Sequence, residues 1–226
     1  MRVFQLFVLS ILVTSSITFS QNIIPNGDFE SYNSLPTGYQ QWYNCSDWSN
    51  CGGSSPDYYH MLGSGPIQLP NSGAGTVVPH SGDAVMAIVT YGDWGSGTWR
   101  EYLSIQFSTP MVSGTTYTVS FWLTNGSGGQ FYGWSSDRIG VHFSMNPLSQ
   151  LGTQPINVIP QVEIPGEVWN AGWQQFSFTY TANANYNYFT IGNFYSDALT
   201  SASYQVPSPD VGAYYYIAVS YTHLTL

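Results

Sequence analysis

Alternation of apolar and polar residues is the feature of this sequence that most restricts its fold. In the segment 115–125, Tyr117, Val119, Phe121 and Leu123 occupy every second position. Side chains alternate between the two faces of a β-strand, so such a segment buries one face and leaves the other polar. After the first twenty residues, no segment keeps a helical period over three turns. We therefore predict an all-β chain folded as an antiparallel β-sandwich.

Three other long segments show the same period, and several shorter ones are also typical of strands. The long segments are 97–108, 137–145 and 173–183, and the shorter ones are 84–91, 156–164, 188–194 and 213–217. The residues of the long segments that are predicted to face the core are Trp99, Leu103, Ile105, Phe107, Ile139, Val141, Phe143, Met145, Phe176, Phe178 and Tyr180. Glu101 breaks the apolar series of the first segment. Because no linker or repeat interrupts these strands, we predict a single domain over residues 21–217.

The first twenty residues are typical of a signal peptide. Arg2 supplies a positive charge, an apolar run follows over residues 3–13, and small residues at 14–20 suit cleavage before Gln21. The alternative, a membrane anchor, is disfavoured because the apolar run is too short to span a bilayer. We expect the mature protein to be secreted or held at a bacterial cell surface.

The other end of the chain reads AVSYTHLTL over residues 218–226. These nine residues resemble the translation of a transposase adapter that is used to prepare sequencing libraries. An ordinary final β-strand is the alternative, since the segment also alternates. We expect residues 218–226 to be an adapter-derived artefact and the natural protein to continue into a downstream region that is missing here.

The charge balance excludes one large class of partners. Only 7% of the residues are charged, the net charge is −9, and lysine is absent from the sequence. Binding to a nucleic-acid backbone needs clustered Lys and Arg, so we expect no nucleic-acid partner and no insertion into a membrane.

Two cysteines, Cys45 and Cys51, lie close together in the sequence. In an exported protein such a pair is expected to form a disulfide that closes a small loop. A metal site is the weaker alternative because two thiolates cannot complete a tetrahedron alone.

The polar faces of the predicted strands carry the candidate ligand-binding residues. If the strands are neighbours, one sheet face gathers aromatic, basic and amide side chains, which suits stacking on a sugar ring and hydrogen bonding to its hydroxyls. These residues are Arg100, Tyr102, Gln106, Trp122, Arg138, His142, Glu163 and Gln175. The alternative is the solvated outer face that any antiparallel sandwich has.

Several short motifs resemble one family of binding domains. They are NIIPNGDFE (22–30), HSGDAVMAI (80–88), GTTYTVSFWL (114–123) and YYYI (214–217). In this order they resemble the carbohydrate-binding modules with a galactose-binding-like jelly roll. The segments WREYLSIQFSTPMVSGTTYTVSFW, DRIGVHFS, PQVE and FTIGNF resemble a bacterial secreted and cell-surface group more closely. The resemblance implies a jelly-roll fold and a glycan ligand.

The same resemblance implies a structural calcium ion. In the family, calcium joins the first strand to the last, and the matching residues are Glu30 and the loop 80–83, which ends at Asp83. The family's partner on the last strand is an Asp, where this chain has Ala218. An Asp codon cut after its first base would produce this Ala. The alternative role for Glu30 is a strand-end carboxylate that accepts backbone hydrogen bonds.

Together these observations predict a non-catalytic glycan-binding module at the N-terminal end of a larger exported protein. Glu101 and Glu163 are the best carboxylate pair for glycoside hydrolysis, but alternation places Glu101 on the face opposite Arg100 and Tyr102. No nucleophile elbow or zinc-binding helix motif is present. The alternatives are an adhesive cell-surface module and a fragment of a glycoside hydrolase.

Overall fold

A computed structural model describes residues 22–92 and 97–224, with backbone alone for residues 219–224. The expected signal peptide lies outside the described residues. Two five-stranded antiparallel sheets pack face to face, and a separate two-stranded sheet accompanies them. The strands cross repeatedly between the two sheets, as in a jelly roll. The predicted antiparallel β-sandwich is therefore confirmed.

The front sheet has the strand order β2-β3-β12-β5-β9. Its strands are β2 (Asp57–His60), β3 (Ala84–Gly92), β12 (Gly212–Leu224), β5 (Thr116–Thr124) and β9 (Gln174–Thr181). The back sheet has the order β1-β4-β10-β7-β8. Its strands are β1 (Trp48–Ser49), β4 (Leu103–Gln106), β10 (Tyr188–Asn193), β7 (Ile139–Ser144) and β8 (Val162–Glu163).

The remaining elements are short. The two-stranded sheet pairs β6 (Trp134–Ser136) with β11 (Ala202–Tyr204). Three 3-10 helices lie at Trp42–Asn44, Gly65–Ile67 and Asp197–Leu199. No helix among the described residues has the length and apolar character needed to cross a membrane.

The main core lies between the two large sheets and contains most of the residues predicted to face it. Val119 and Phe121 of β5 meet Ile105 of β4 and Phe143 of β7 in one apolar cluster. The prediction that Met145 faces the core is wrong, because β7 ends at Ser144 and Met145 is 58% exposed. The same prediction for Trp99 is also wrong, because Trp99 precedes β4 and packs outside this core.

The outer face of the front sheet is covered over β3 and β12. Alternate residues of β3 and β12, such as Val85 and Tyr216, form a second cluster with Ile67 and Val77. The segment that carries Ile67 and Val77 covers this face. Two backbone hydrogen bonds between Thr76 and Ser127, at 2.8 and 3.0 Å, hold it in place. Both faces of the two central strands are therefore buried, which explains their continuous apolar character.

The outer face of the back sheet is covered as well. Ile156 packs with Tyr102 and Phe194 in a third cluster. The sequence predicts a strand over residues 156–164, but only Val162–Glu163 pairs with a neighbour, because the preceding segment crosses over the sheet.

The predicted disulfide is corrected by the structure, in which Cys45 and Cys51 are free and buried. Cys45 belongs to the main core, where Nδ2 of Asn26 lies 3.4 Å from its Sγ. Cys51 belongs to the cluster of Ile156 outside the back sheet. Strand β1 lies between the two cysteines, so their side chains enter separate apolar clusters. Burial raises the pKa of Cys51 to about 11 and also raises that of Cys45.

Candidate functional site

A cleft of about 440 Å³ opens on the outer side of the front sheet, beside the end of β2. Its volume lies within the range of small-molecule sites. The residues that line it are Tyr39, Gln40, Ser55, Asp57, Val89, Trp99, Glu101, Gln130, Phe131 and Tyr214. They combine aromatic walls with two amides, three hydroxyls and two carboxylates.

The segment 99–101 extends the front sheet along β3 beyond Asp57, where β2 begins. The N–H of Trp99 donates to the Gly92 carbonyl at 2.9 Å, and the N–H of Glu101 donates to the Val89 carbonyl at 2.9 Å. The N–H of Val89 in turn donates to Oε2 of Glu101 at 3.0 Å. Alternation then directs Trp99 and Glu101 into the cleft and Arg100 away from it.

Arg100 holds this segment from the other side. Its side chain is fully buried, and Nη2 donates to Oδ1 of Asp197 at 2.7 Å. Nη1 also donates to the Trp99 carbonyl at 3.0 Å. These bonds from Arg100 fix the position of the segment 99–101, which forms one wall of the cleft.

Asp57 enters the cleft from the first position of β2. Its Oδ2 accepts a hydrogen bond from the Tyr214 hydroxyl at 2.6 Å, and its Oδ1 accepts one from the N–H of Gln40 at 2.5 Å. The Tyr214 oxygen lies 2.8 Å from the Tyr59 hydroxyl. This network orients the carboxylate while leaving it on the cleft wall.

Both carboxylates are held in an environment that favours their neutral form. Glu101 is 3% exposed and Asp57 is 8% exposed. Burial, reinforced by the charge of Asp57, raises the pKa of Glu101 to about 8. Burial also raises the pKa of Asp57 to about 6, although the bonds from Tyr214 and Gln40 oppose this effect. At neutral pH the cleft therefore offers both a carboxyl donor and a carboxylate acceptor.

The aromatic side chains of the cleft are only partly covered. Tyr39, Trp99 and Phe131 are half-buried, and Phe131 packs against Tyr214 at a centroid distance of 5.4 Å. Gln40 and Gln130 are exposed at the rim. Rings beside amides and carboxyl groups can contact the apolar face of a sugar while the polar groups meet its hydroxyls.

The ligand-binding face predicted from the sequence is corrected, because its residues belong to two sheets. Trp122 and Gln175 are neighbours on β5 and β9 of the front sheet. Gln106, His142 and Glu163 belong to the back sheet, and Arg138 directly precedes β7. Strands that alternate in sequence cross between the sheets of a jelly roll, so similar polar faces end on opposite sides of the sandwich.

Arg100 and Tyr102 are buried instead of exposed. Arg100 is bound to Asp197, and the Tyr102 hydroxyl donates to the Asn193 carbonyl at 2.6 Å. The N–H of Ile156 donates to the Tyr102 oxygen at 3.0 Å. Tyr102 therefore lies beneath the segment that covers this part of the back sheet.

Trp122 is partly covered by another loop. The His80 ring stacks on its indole at a centroid distance of 3.9 Å, and Trp173 meets His80 edge-on at 6.1 Å. Nε1 of Trp173 donates to the Val78 carbonyl at 2.8 Å. The stack fastens the covering segment to the front sheet.

Three predicted residues do remain close to one another on the back sheet. Nη1 of Arg138 donates to Oε1 of Glu163 at 2.9 Å, and its guanidinium lies 4.9 Å from the Tyr195 ring centroid. Nδ1 of His142 lies 2.9 Å from the Ile159 carbonyl oxygen. Ligand binding by this group stays a prediction, as it does for Gln106 and Gln175, whose side chains are exposed.

Glu30 does lie beside the loop that was expected to share calcium with it. Its Oε1 accepts hydrogen bonds from the N–H groups of Asp83 and Ala84, at 2.8 and 3.0 Å. This is the alternative role, a carboxylate satisfied by backbone donors. N–H groups aimed at that oxygen do not suit a cation, so these contacts do not fit the calcium site, which stays a prediction for Glu30 and Asp83.

Sequence reasoning missed Asp57, Tyr39 and Phe131, because loops bring them to the cleft from distant parts of the chain. Glu101 did carry a signal. A carboxylate within an otherwise apolar series is costly to bury without a purpose or a partner. The apolar series therefore indicated Glu101 as an unusual position, but it did not indicate the neighbouring Asp57.

No family model matches this chain, and no curated protein matches it. Similar solved structures include the enzymatically active domain of tailspike protein 4 of bacteriophage CBA120, with 10% identity, a TM-score of 0.40 and 90% of this chain covered. The CBM22-1 and GH10 modules of xylanase 10B from Clostridium thermocellum, complexed with xylohexaose, show 10% identity, a TM-score of 0.42 and 92% coverage. This chain spans 21% of the first structure and 29% of the second.

A third similar structure is TmCBM61 in complex with β-1,4-galactotriose, with 15% identity and a TM-score of 0.42. The match covers 91% of this chain and 100% of that one. Carbohydrate-binding modules are thus among the solved structures that this chain resembles.

Proposed function

We propose that this protein is a glycan-binding module without catalytic activity and that the cleft beside β2 is its binding site. One observation carries the proposal: half-buried Trp99, Tyr39 and Phe131 share a cleft with the amides of Gln40 and Gln130. An exported location and attachment to a downstream domain, both expected from the sequence, belong to the same proposal.

The chemistry of the cleft matches the chemistry of a sugar. A pyranose has an apolar face of C–H groups and a rim of hydroxyls, so it needs rings to contact and both donors and acceptors to bond. Side-chain amides supply donors and acceptors together. Glu101 with its raised pKa can donate, and ionised Asp57 can accept.

The arrangement of the two carboxylates supports binding over hydrolysis. Asp57 pairs with Ala87 of β3, and Glu101 bonds to Val89 of the same strand. Glycosidases place their carboxyl groups on either side of the scissile bond. Here both groups lie along one edge of one strand and both accept hydrogen bonds from the backbone, which suits positioning more than proton transfer to a bond between them.

A pair of matched Trp substitutions tests the proposal. Trp99 lines the cleft, whereas Trp122 lies on the same sheet under His80. In affinity electrophoresis against a panel of soluble polysaccharides, we expect at least one to retard the wild-type protein. Trp99→Ala should weaken that binding about tenfold or more, as expected for a central aromatic contact, and Trp122→Ala should leave it unchanged.

Circular dichroism of both variants shows whether each still folds, and reducing-sugar assays on the same polysaccharides check for hydrolysis. Equal loss in the two variants would place the site elsewhere. Absence of binding to every polysaccharide would overturn the proposal, and hydrolysis that Glu101→Gln abolishes would assign catalysis to the cleft.

A further inference from the structure

The two carboxylates of the cleft are buried without a protein cation beside them. None of the described residues that line the cleft is Lys, Arg or His. Burying an ionised carboxylate costs free energy unless an opposite charge or several hydrogen bonds offset it. The raised pKa values of Asp57 and Glu101 reflect this lack of compensation.

The arginines within the described residues form ion pairs outside the cleft. Arg100 turns away from the cleft and binds Asp197, and Arg138 binds Glu163 on the back sheet. The sequence contains no lysine at all. Among the described residues, no cationic side chain is therefore available to Asp57 and Glu101, and a positive charge beside them is one that a ligand brings.

The walls of the cleft suit such a charge. Trp99, Tyr39 and Phe131 line the cleft together with the carboxylates, and Nε1 of Trp99 donates to Oε1 of Glu101 at 3.3 Å. The faces of aromatic rings attract ammonium groups. Asp57 is fixed by Tyr214 and Gln40, and Glu101 is fixed by Val89. A carboxylate that is already oriented loses little conformational freedom when it binds an ammonium group.

We propose that the cleft selects a glycan with free amino groups, such as glucosamine units, and that Asp57 and Glu101 bind the protonated amine. This inference rests on the proposed glycan-binding function and names its ligand class. A neutral sugar offers the carboxyl groups hydrogen bonds but no positive charge, and an acidic sugar is repelled by ionised Asp57 and by a net charge of −9.

Proton release is a consequence of this recognition. A nearby ammonium favours the ionised form of a carboxyl group, so binding lowers the pKa of Glu101 and of Asp57. At pH 6 the free protein carries a proton on Glu101 and, in part of the molecules, on Asp57. Binding then expels protons into the buffer.

Isothermal titration calorimetry at pH 6 tests the inference with three hexasaccharides of equal length. These are the glucosamine hexamer, the N-acetylglucosamine hexamer and the glucose hexamer with β-1,4 links. The electron-withdrawing oxygens of a sugar make the glucosamine amine a weaker base than a lysine amine, so its protonation at this pH is measured by titrating the free hexamer and is included in the proton balance. We expect the glucosamine hexamer to bind at least tenfold more tightly than the other two. Titrations in buffers of different ionisation enthalpy should show net proton release.

Matched variants separate the cleft from the overall negative charge. Glu101→Gln keeps an acceptor for the Val89 N–H and should reduce the amine preference about tenfold and the proton release as well. Asp57→Asn is the second variant, in case the first fails to fold. Asp47→Asn makes the same change of charge at an exposed residue that does not line the cleft, and it should alter neither quantity.

Each other result has a definite meaning. Equal affinity for a neutral hexamer overturns the amine preference while leaving the glycan-binding function intact. An equal loss in Asp47→Asn, or equal affinity for hexalysine, shows general attraction by charge and also overturns it. Failure of every hexamer and every polysaccharide to bind overturns the proposed function itself.

Discussion

Glu101 forms a double hydrogen bond with Val89. The Glu101 N–H donates to the Val89 carbonyl at 2.9 Å, and the Val89 N–H donates to the Glu101 carboxylate at 3.0 Å. The Glu101 carboxylate thus accepts the Val89 N–H in the place of a strand carbonyl, beside the point where β2 begins. Asp57 pairs with Ala87, two residues away along β3, and residues at this spacing lie about 7 Å apart on one face. This relationship makes the two carboxylates neighbours.

The free energy of unfolding should fall as the pH rises from about 4 to about 8. Folding raises the pKa of Glu101 from 4.5 to about 8 and that of Asp57 from 3.8 to about 6. At a pH between its two pKa values, each group holds a proton in the folded state that it has released in the unfolded state. Stability is therefore greatest below the unfolded pKa and falls as the pH rises toward the folded pKa. Urea unfolding across this range should show a smaller decline for Glu101→Gln than for wild type. Glu163→Gln is the control, and an equal decline in all three proteins contradicts the assignment.

Asp197→Ala should destabilise the protein more than Arg100→Met. Arg100 is fully buried, whereas the Asp197 side chain is 32% exposed. Removing Asp197 leaves a buried charge without a partner, which costs about 3–5 kcal/mol in comparable pairs, while methionine replaces that charge with an apolar chain. Urea midpoints at neutral pH measure both changes. Arg138→Met, at the exposed pair with Glu163, should have no measurable effect, and the reverse order of the two buried variants would show that Arg100 is solvated.

Both cysteines should react as thiols once the chain is unfolded. They are free and buried, and burial raises the pKa of each, so the native protein should resist alkylation by iodoacetamide. In denaturant without a reductant, mass spectrometry should detect two added groups on the purified chain. An unalkylated chain that reacts only after reduction would restore the disulfide predicted from the sequence.

Glu30→Gln should be close to neutral, and Glu30→Ala should lose about 1–3 kcal/mol of stability. Glutamine keeps an oxygen acceptor for the N–H groups of Asp83 and Ala84, whereas alanine leaves both unpaired. Thermal unfolding of the three proteins provides the comparison. The same assay checks the calcium prediction, which requires a higher Tm in calcium than in EDTA for wild type and no difference for Glu30→Gln.

The inward face of the sandwich was predictable from the sequence. Val119, Phe121 and Phe143 occupy every second position and all reach the core between the sheets. The outward faces were not predictable, because the loops that cover them are irregular and carry no period. Tyr102 lies under Ile156, and Trp122 lies under His80.

The residues of the cleft also divide into those that the sequence indicated and those that it did not. Glu101 is conspicuous in the sequence as a carboxylate in an apolar series, while its partner Asp57 comes from a strand 44 positions earlier, as their residue numbers show. Tyr39 and Phe131 arrive from loops on either side. Such pairings depend on the closure of long loops, which local patterns do not record.

By itself, the sequence determined the strand period, the two faces of each strand and the scarcity of positive charge. These are local or summed properties, since alternation follows from backbone geometry and net charge from a count of residues. The tertiary structure alone decided which strands share a sheet, which polar faces are covered, and that Asp57 and Glu101 meet in one cleft. Those outcomes depend on contacts between residues far apart in the chain, and each is fixed only when the two sheets and their covering loops pack together.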